Sequence, residues 1–529
     1  MFAKIGAAIK GVLARMGLLA TINNVTQFAA VIESQWMYGR ILDWRSLYRG
    51  YLGKYDGIPY HETSYIDATG KRHHRRRASL KMPKKSAERM AALVFNEKCK
   101  INIGSVDDQP DESGDIKVTP EIKQFSANVM NVLNDNHFMK LFQRYLEYMF
   151  AMGGMVAKPY VDKGKIKIAW VTAQNFLPVE SNNDDVTAGV FMDMTRKGDK
   201  YYTHLEWHTW DGDTYHIRNE LYQSMSPDDL GVKVPLSLLF EDMEEDIPIK
   251  GLTRPLFVYF KPNIANNFET ASPLGISIFA NSIDTLKSLD IAFDSFQREF
   301  TLGKRRIIVP ASAIRAIYDA QSGEVRRYFD TDDEVYQAVA TGDMDTEQIK
   351  DMAVSLRVED HVKAINSLLD MLAMQEGLSA GTFTFDGQAV KTATEVVSEN
   401  SETFRTKNSH ETLIEQGIKE LIDCIAQLAD LYGIFPNPGC DNYEVTVDFD
   451  DSIAEDRVQN ANFYMTLVAA ELMPKVEAIQ RIFDITEDQA NEYLAKIKAE
   501  TAQQQPPVME QLLGKAELGV ENANGSGTR

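Results

Sequence analysis

Residues 282–302, SIDTLKSLDIAFDSFQREFTL, decide the fold. Ile283, Leu286, Leu289, Phe293, Phe296 and Phe300 recur in steps of three and four, so they form one apolar helical stripe. The other side carries Asp284, Lys287, Asp290, Asp294 and Arg298. The segment GKRRIIVP follows, with a basic cluster of Lys304, Arg305 and Arg306 and then a strand-like run. Residues 311–358 read as a small mixed α/β insert. A second amphipathic helix is expected over 359–376, with Val362, Ile365, Leu368, Leu369 and Leu372 on one face and Gly377 as its stop. Two striped helices bracketing a small insert can pack within one chain and between copies of it.

Downstream comes a glycine-containing loop, LSAGTFTFDGQAV, at 378–390. Its expected tip is Phe383, Thr384, Phe385 and Asp386. A long helix is then predicted over 391–432, which would span about 60 Å. Its second half has Ile414, Ile418, Leu421, Ile425, Leu428 and Tyr432 at helical spacing, while its first half is polar all round. YEVTVDFDD at 443–451 reads as a strand. Ser452 and Glu455 form a capping box for a helix running to Leu472, which Pro474 ends. Helices over 475–483 and 487–500 follow, the latter with a capping box of Thr486 and Gln489. The polar tail 501–529 is expected to be unordered at its end.

Upstream, SAERMAALVFNE at 86–97 predicts a helix and KINI a strand, and SVDDQPDESGD at 105–115 is a polar loop. Thr119 before Pro120 starts a helix with Ile122, Phe125, Val129 and Leu133 on one side. A further helix from Phe138 to Met152 ends at Gly153–Gly154. From Met155 to Gln223 the period changes to that of antiparallel strands, with KGDK and DGD as turns. The first residues, MFAKIGAAIKGVLARMGLL, carry an apolar stripe interrupted by Lys10 and Arg15. That pattern fits a short docking helix better than a signal peptide or interfacial anchor.

The chain has 529 residues, 44% of them hydrophobic, enough for more than one domain and a sizeable core. Its formal net charge is −21, with a sequence pI near 5.0, which argues against a broad nucleic-acid-gripping face. It does not argue against DNA that must slide past without sticking. Cys99, Cys424 and Cys440 form no CxxC pair, so neither a disulfide framework nor a zinc ribbon is expected. No apolar run reaches the length of a membrane span.

The sequence contains no phosphate-binding GxxxxGK[ST] loop, no HExxH and no GxSxG elbow. His204, His208 and His216 are the nearest candidate metal cluster. On a strand, residues four apart lie about 13 Å apart, too far to share one zinc, and exposed sheet histidines account for them. Asp448, Asp450 and Asp451 offer carboxylates for a divalent ion, yet a strand end leading into a helix cap explains them without one. No catalytic, cofactor or metal residue is therefore assigned, and the chain is read as a non-enzyme. A metal-dependent nucleic-acid enzyme built on the aspartates and histidines is the rival from another class. The dense basic run KRHHRRRASLKMPKK at 71–85 includes Arg72, Arg75, Arg76 and Arg77 and no acid. It fits a nucleic-acid contact, an acidic neighbour such as a second copy of the chain, or a solvated hairpin.

These segments together resemble a known family. SLKMPKKSAERMAALVFNEKCKINI, the stretch 271–309, KTATEVVSENSETFRTKNSHETLIEQ, RPLFVYFKPNIANN and AQNFLPV are similar to portal proteins of long-tailed phages of Gram-positive hosts. The similarity runs in order from about residue 20 to residue 500. It implies an α+β portal fold: a mainly helical wing, stem and crown, an antiparallel sheet insertion and a small α/β clip. After an N-terminal segment at 1–19, the resemblance puts the wing at 20–274, with the β-rich insertion at 155–223. Stem helices would be 275–302 and 359–377, with the clip at 303–358 between them. The tunnel loop would be 378–390, the long wing helix and return strand 391–452, the crown 453–500 and the tail 501–529. It further implies a ring, expected to be a dodecamer, at one capsid vertex of the virion, made in the host cytoplasm. Double-stranded DNA would pass without sequence specificity. Implied partners are terminase, a head-tail adaptor, and major capsid and scaffolding proteins, with no membrane and no cofactor. Another ring-forming head-tail adaptor is the nearest alternative.

Overall fold

A computed structural model describes residues 25–50, 62–66, 69–105, 119–182, 185–227, 229–303, 306–308, 315–318, 325–328, 350–352, 355–384, 401–450, 457–470, 472–483, 485 and 487–504. Expectations for the N-terminal segment 1–19, most of the polar loop 105–115, the start of the long helix at 391–400, the Ser452–Glu455 capping box, Thr486 and the tail beyond 504 lie outside these residues.

The first elements are α1 (Val25–Arg49), the hairpin β1 (Glu62–Ile66) and β2 (Arg72–Arg76), α2 (Met82–Val94), β3 (Lys100–Ser105), α3 (Pro120–Asp135) and α4 (Phe138–Met152). Helix α2 begins four residues ahead of the predicted Ser86, because Pro83 suits a first helical turn that needs no N–H donor. Thr119 caps α3 by accepting from the Ile122 amide, and the predicted stripe Ile122, Phe125, Val129 and Leu133 is buried. Helix α4 stops where Gly153 turns to φ +85°. A Cβ there would lie 2.5 Å from the Gly275 carbonyl oxygen, so the end of α4 and the lead-in to the 283–302 helix meet backbone to backbone. The Ile278 amide donates to the Phe150 carbonyl beside that contact, at 2.9 Å.

Next come β4 (Met155–Asp162), β5 (Lys165–Thr172), β6 (Phe176–Asn182), β7 (Asp185–Lys197), β8 (Lys200–Asp211), β9 (Thr214–Ser224), β10 (Val232–Val234), β11 (Asp246–Lys250) and β12 (Val258–Phe260). They form two antiparallel sheets. One has the order β12-β4-β5, the other β10-β9-β8-β7-β6, with β11 also pairing β9. The predicted β region thus continues past Gln223, in strands too short to show a period. KGDK and DGD make the expected turns, with Lys197 opposite Lys200 and Asp211 opposite Thr214. Val156, Phe176, Val186, Phe191 and Phe257 pack into one core between strands of both sheets. The Tyr38 hydroxyl of α1 donates to the Phe176 carbonyl within it.

The remaining elements are α5 (Ile283–Leu302), β13 (Arg306–Ile308), β14 (Arg315–Tyr318), β15 (Val325–Tyr328), β16 (Lys350–Met352), α6 (Val358–Gln375), α7 (Ser401–Leu431), β17 (Tyr443–Asp448), α8 (Arg457–Ala469), α9 (Lys475–Phe483) and α10 (Glu487–Gln504). Strand β13 pairs β16, β14 pairs β15, and β17 returns to pair β3, all antiparallel. Helix α7 lies on β12: a Cβ on Gly417 would come 2.3 Å from the Phe260 ring. Ile414, Ile418, Leu421, Ile425 and Leu428 are buried as predicted, but Tyr432 lies past the helix end and is exposed. Over 401–412 the polar half keeps Ser401, Glu402, Arg405, Asn408, Ser409 and Thr412 exposed but turns one polar face inward. Thr403, Lys407, His410 and Glu411 are buried, and Lys407 pairs with Glu411 at 2.7 Å one turn on. The chain divides into two compact units, one carrying α1–α7 and all the strands, the other carrying α8–α10.

Candidate functional site

The two helices around the 303–358 insert pack against each other, burying Leu286 and Leu289 of α5 and Ile365, Leu369 and Leu372 of α6. At their far end Glu299 accepts from the Arg357 guanidinium at 3.1 and 2.9 Å and from its backbone amide at 3.3 Å. The Arg357 hydrogen bonds lower the Glu299 carboxyl to about 2. His361 stands 3.7 Å from the same carboxylate. The charged outer side expected for α5 is partly covered. Asp290 and Asp294 were placed on a charged outer side, yet each is only 6% exposed. Strand β2 and the segment after it cover them: Arg75 donates to both Asp294 oxygens, and the Ala78 and Leu80 amides donate to Asp294 and Asp290. Phe300, predicted within the apolar stripe, is exposed instead.

Helix α6 ends as Gly377 stops it. The Leu378 amide reaches back to the Ala373 carbonyl at 2.8 Å, and the Gly377 amide to the Met374 carbonyl at 3.2 Å. Gly377 has φ +70°, and a Cβ on it would lie 2.5 Å from the Thr406 hydroxyl of α7. The following loop is stitched on both sides. Ser379 exchanges hydrogen bonds with Thr403 at the start of α7, and the Gly381 amide donates to Asp370 of α6 at 2.8 Å. Phe383 and Thr384 sit half-buried just beyond this base, the Thr384 hydroxyl donating to the Gly381 carbonyl.

One group at this junction was not legible as a site. Glu376 is 4% exposed, and neither carboxyl oxygen has a hydrogen-bond partner. The Ser86 hydroxyl of α2 approaches it without full hydrogen-bond geometry. Burial pushes the Glu376 carboxyl up to about 8, slightly opposed by Ser86. The sequence shows only a Glu before a helix-stopping Gly, an ordinary surface pattern.

Phe385, Asp386, Lys304 and Arg305 lie outside the described residues, while Arg306 stands in β13 opposite Met352. Arg72 opens β2 and is exposed; Arg75, Arg76 and Arg77 are half-buried. Asp448 accepts from Asn102 at 2.7 Å, and Asp450 meets Asn96 at 3.0 Å and Lys98 at 3.3 Å; Asp451 lies outside the described residues. The sheet histidines are not exposed as expected, because each points at a polar partner. His204 meets Asn219, His216 meets Asp246, and His208 is 1% exposed. In the buried chain around His208, the Leu256 amide donates to the Tyr215 hydroxyl, which therefore donates to His208 Nδ1 at 2.7 Å. His208 Nε2 then donates to Glu206 at 2.7 Å, and Lys158 takes the other Glu206 oxygen at 2.5 Å. Burial keeps this histidine neutral by lowering its pKa, against the pull of Glu206. Burial also works to raise Glu206, but Lys158 and His208 outweigh it and hold the carboxyl well below its usual range. Among the described residues no group of three His, Cys, Asp or Glu is arranged to hold a metal ion, and no helix is long and apolar enough to cross a membrane.

Two striped helices thus flank the insert, the loop after them is pinned at its base, and a long helix with one buried face follows. Residues 37–507 match the family described as "Phage portal protein, SPP1 Gp6-like". The chain belongs to this family. Among solved structures, a chain of the "Neck of empty GTA particle computed with C6 symmetry" is similar at 11% identity, covering 75% of this chain and 88% of that one, with a TM-score of 0.41. Curated proteins gave no match. Portal-family membership makes this a structural subunit of the phage head with a connector role, a virion component whose family works as a ring oligomer. Its fold is a mixture of helices and antiparallel sheets, α+β.

Proposed function

We propose that twelve copies form a ring at one capsid vertex of a long-tailed phage of a Gram-positive host, and that DNA is packaged and ejected through its channel. Terminase docks on the ring during packaging and a head-tail adaptor afterwards, with scaffolding and major capsid proteins around it. Residues 20–274 form the wing, 275–302 and 359–377 the stem, 303–358 the clip, 378–390 the tunnel loop, 391–452 the wing helix and return strand, and 453–500 the crown.

The observation that carries this reading is the portal-family match over residues 37–507. Three features support the finer division. The α5–α6 pair brackets the strands β13–β16, as a stem around a clip requires. The 378–384 base is fixed to both α6 and α7, as a loop working against moving DNA requires. A net charge of −21 on a DNA-enclosing ring limits adhesion, so a packaging motor need not break strong phosphate contacts at each step. The family leaves nucleotide hydrolysis to terminase, consistent with a chain that lacks a phosphate-binding loop.

Deleting 382–388, beyond the Ser379–Thr403 and Gly381–Asp370 anchors, tests the loop assignment. Rings should assemble with unchanged subunit number while the yield of DNA-filled heads drops at least tenfold. A normal yield of filled heads contradicts the assignment.

A further inference from the structure

The basic run at 71–85 has its acidic partner within its own chain. Arg75 grips Asp294 of α5 fork to fork, at 2.7 and 2.6 Å. The Ala78 amide adds 3.1 Å to the same carboxylate, and the Leu80 amide 2.9 Å to Asp290 one turn earlier. Four donors from one extended strap thus cover two helix carboxylates that would otherwise face outward. The Arg75 hydrogen bonds hold the Asp294 carboxyl below its usual range, so it is an anion at neutral pH. The paired-oxygen geometry around Arg75 is that of a guanidinium on a phosphate. Its side chain remains 34% exposed, with Arg72 and His74 on the open surface of the same strand.

We propose that this contact is an autoinhibitory strap: Asp294 occupies the Arg75 guanidinium in place of a DNA phosphate, so docking of the hairpin on the stem helix and binding of DNA through Arg75 exclude each other. Linkage makes the exclusion reciprocal, because DNA that captures Arg75 loosens the strap from α5 by the same factor by which the strap weakens DNA binding. The grip rests on charge, yet both carboxylates are covered, so salt loosens it less than an exposed pair. The proposal takes DNA as the polyanion from the portal reading, but its test does not depend on ring assembly.

The test uses the full-length protein and a short DNA duplex of random sequence, with binding measured over a salt series. Asp294→Asn keeps the side-chain shape and an acceptor for Ala78 while releasing Arg75. It should bind the duplex several-fold tighter, with a slope of log affinity against log salt steeper by about one phosphate contact. Arg75→Gln with Asp294→Asn should return both to the wild-type values. Hydrogen exchange of the wild-type protein should speed up across 72–80 when saturating duplex is added. Unchanged affinity of Asp294→Asn, or 72–80 equally protected with and without duplex, overturns the proposal. Arg75→Gln alone separates strap loss from misfolding: it loses the clamp without gaining a free cation, so tighter DNA binding by this variant would also contradict the account. The subunit count of the particle tests the portal reading separately.

Discussion

Glu376 shows how a single side chain acquires a property that its sequence context hides. Its neighbours are ordinary, but the turn made by Gly377 and the fit against Ser86 close it off from water. A buried carboxyl without partners stays protonated until the pH approaches its raised value of about 8. In the unfolded chain the same group ionises near 4.5. Between these values the folded state binds the extra proton, so the Glu376 contribution to stability is full below 4.5 and is lost as the pH rises towards 8. Replacing Glu376 by Gln keeps the shape without the charge. Melting temperatures of the two proteins should therefore converge at pH 5 and separate at pH 8, the variant being more stable by several degrees. Parallel melting curves at both pH values would show that Glu376 is not buried as described. His208 is a second case of context deciding chemistry. The sequence pattern left it as an exposed sheet histidine, whereas the fold buries it, and the cross-strand Tyr215 and the Lys158–Glu206 pair fix its neutral tautomer.

At the scale of elements, the stripes on α3, α5, α6 and the second half of α7 were legible because a helix buries one face at a period that sequence records directly. The ends of α3, α4 and α6 were legible for a different reason, because Thr119 before Pro120 caps a helix start and Gly153 and Gly377 supply the left-handed turn that ends one. Three features were not. Asp290 and Asp294 look solvent-facing until a strap more than two hundred residues earlier in the chain covers them. Strands β10, β11 and β12 are too short to carry a period. One face of the polar half of α7, Thr403, Lys407, His410 and Glu411, is buried, with the Asn263 amide donating to His410 at 3.0 Å. Helix α7 can approach β12 closely because position 417 has no side chain. Gly417→Ala would set a methyl 2.3 Å from the Phe260 ring and should cost about 1–3 kcal/mol in chemical denaturation, despite the higher helix propensity of Ala. A neutral or stabilising result would mean that α7 and β12 are not in contact at this point.

For the whole molecule, the order of elements carries more functional information than any cluster of residues. Helix, small β insert, helix, pinned loop and long helix follow one another over 283–431, and the match to the portal family extends on both sides of them. What could be read in advance was this order and the absence of familiar catalytic motifs. What could not be read was which polar residues the fold would bury. The central claim is that copies of this chain close into a ring around a DNA channel, and direct imaging of the purified particle along its axis, with native mass spectrometry of the same sample, tests it most directly. The account predicts a closed ring of twelve subunits with an open central channel wide enough for duplex DNA. A particle that remains monomeric under every salt and concentration, or that grows into open filaments, would contradict it.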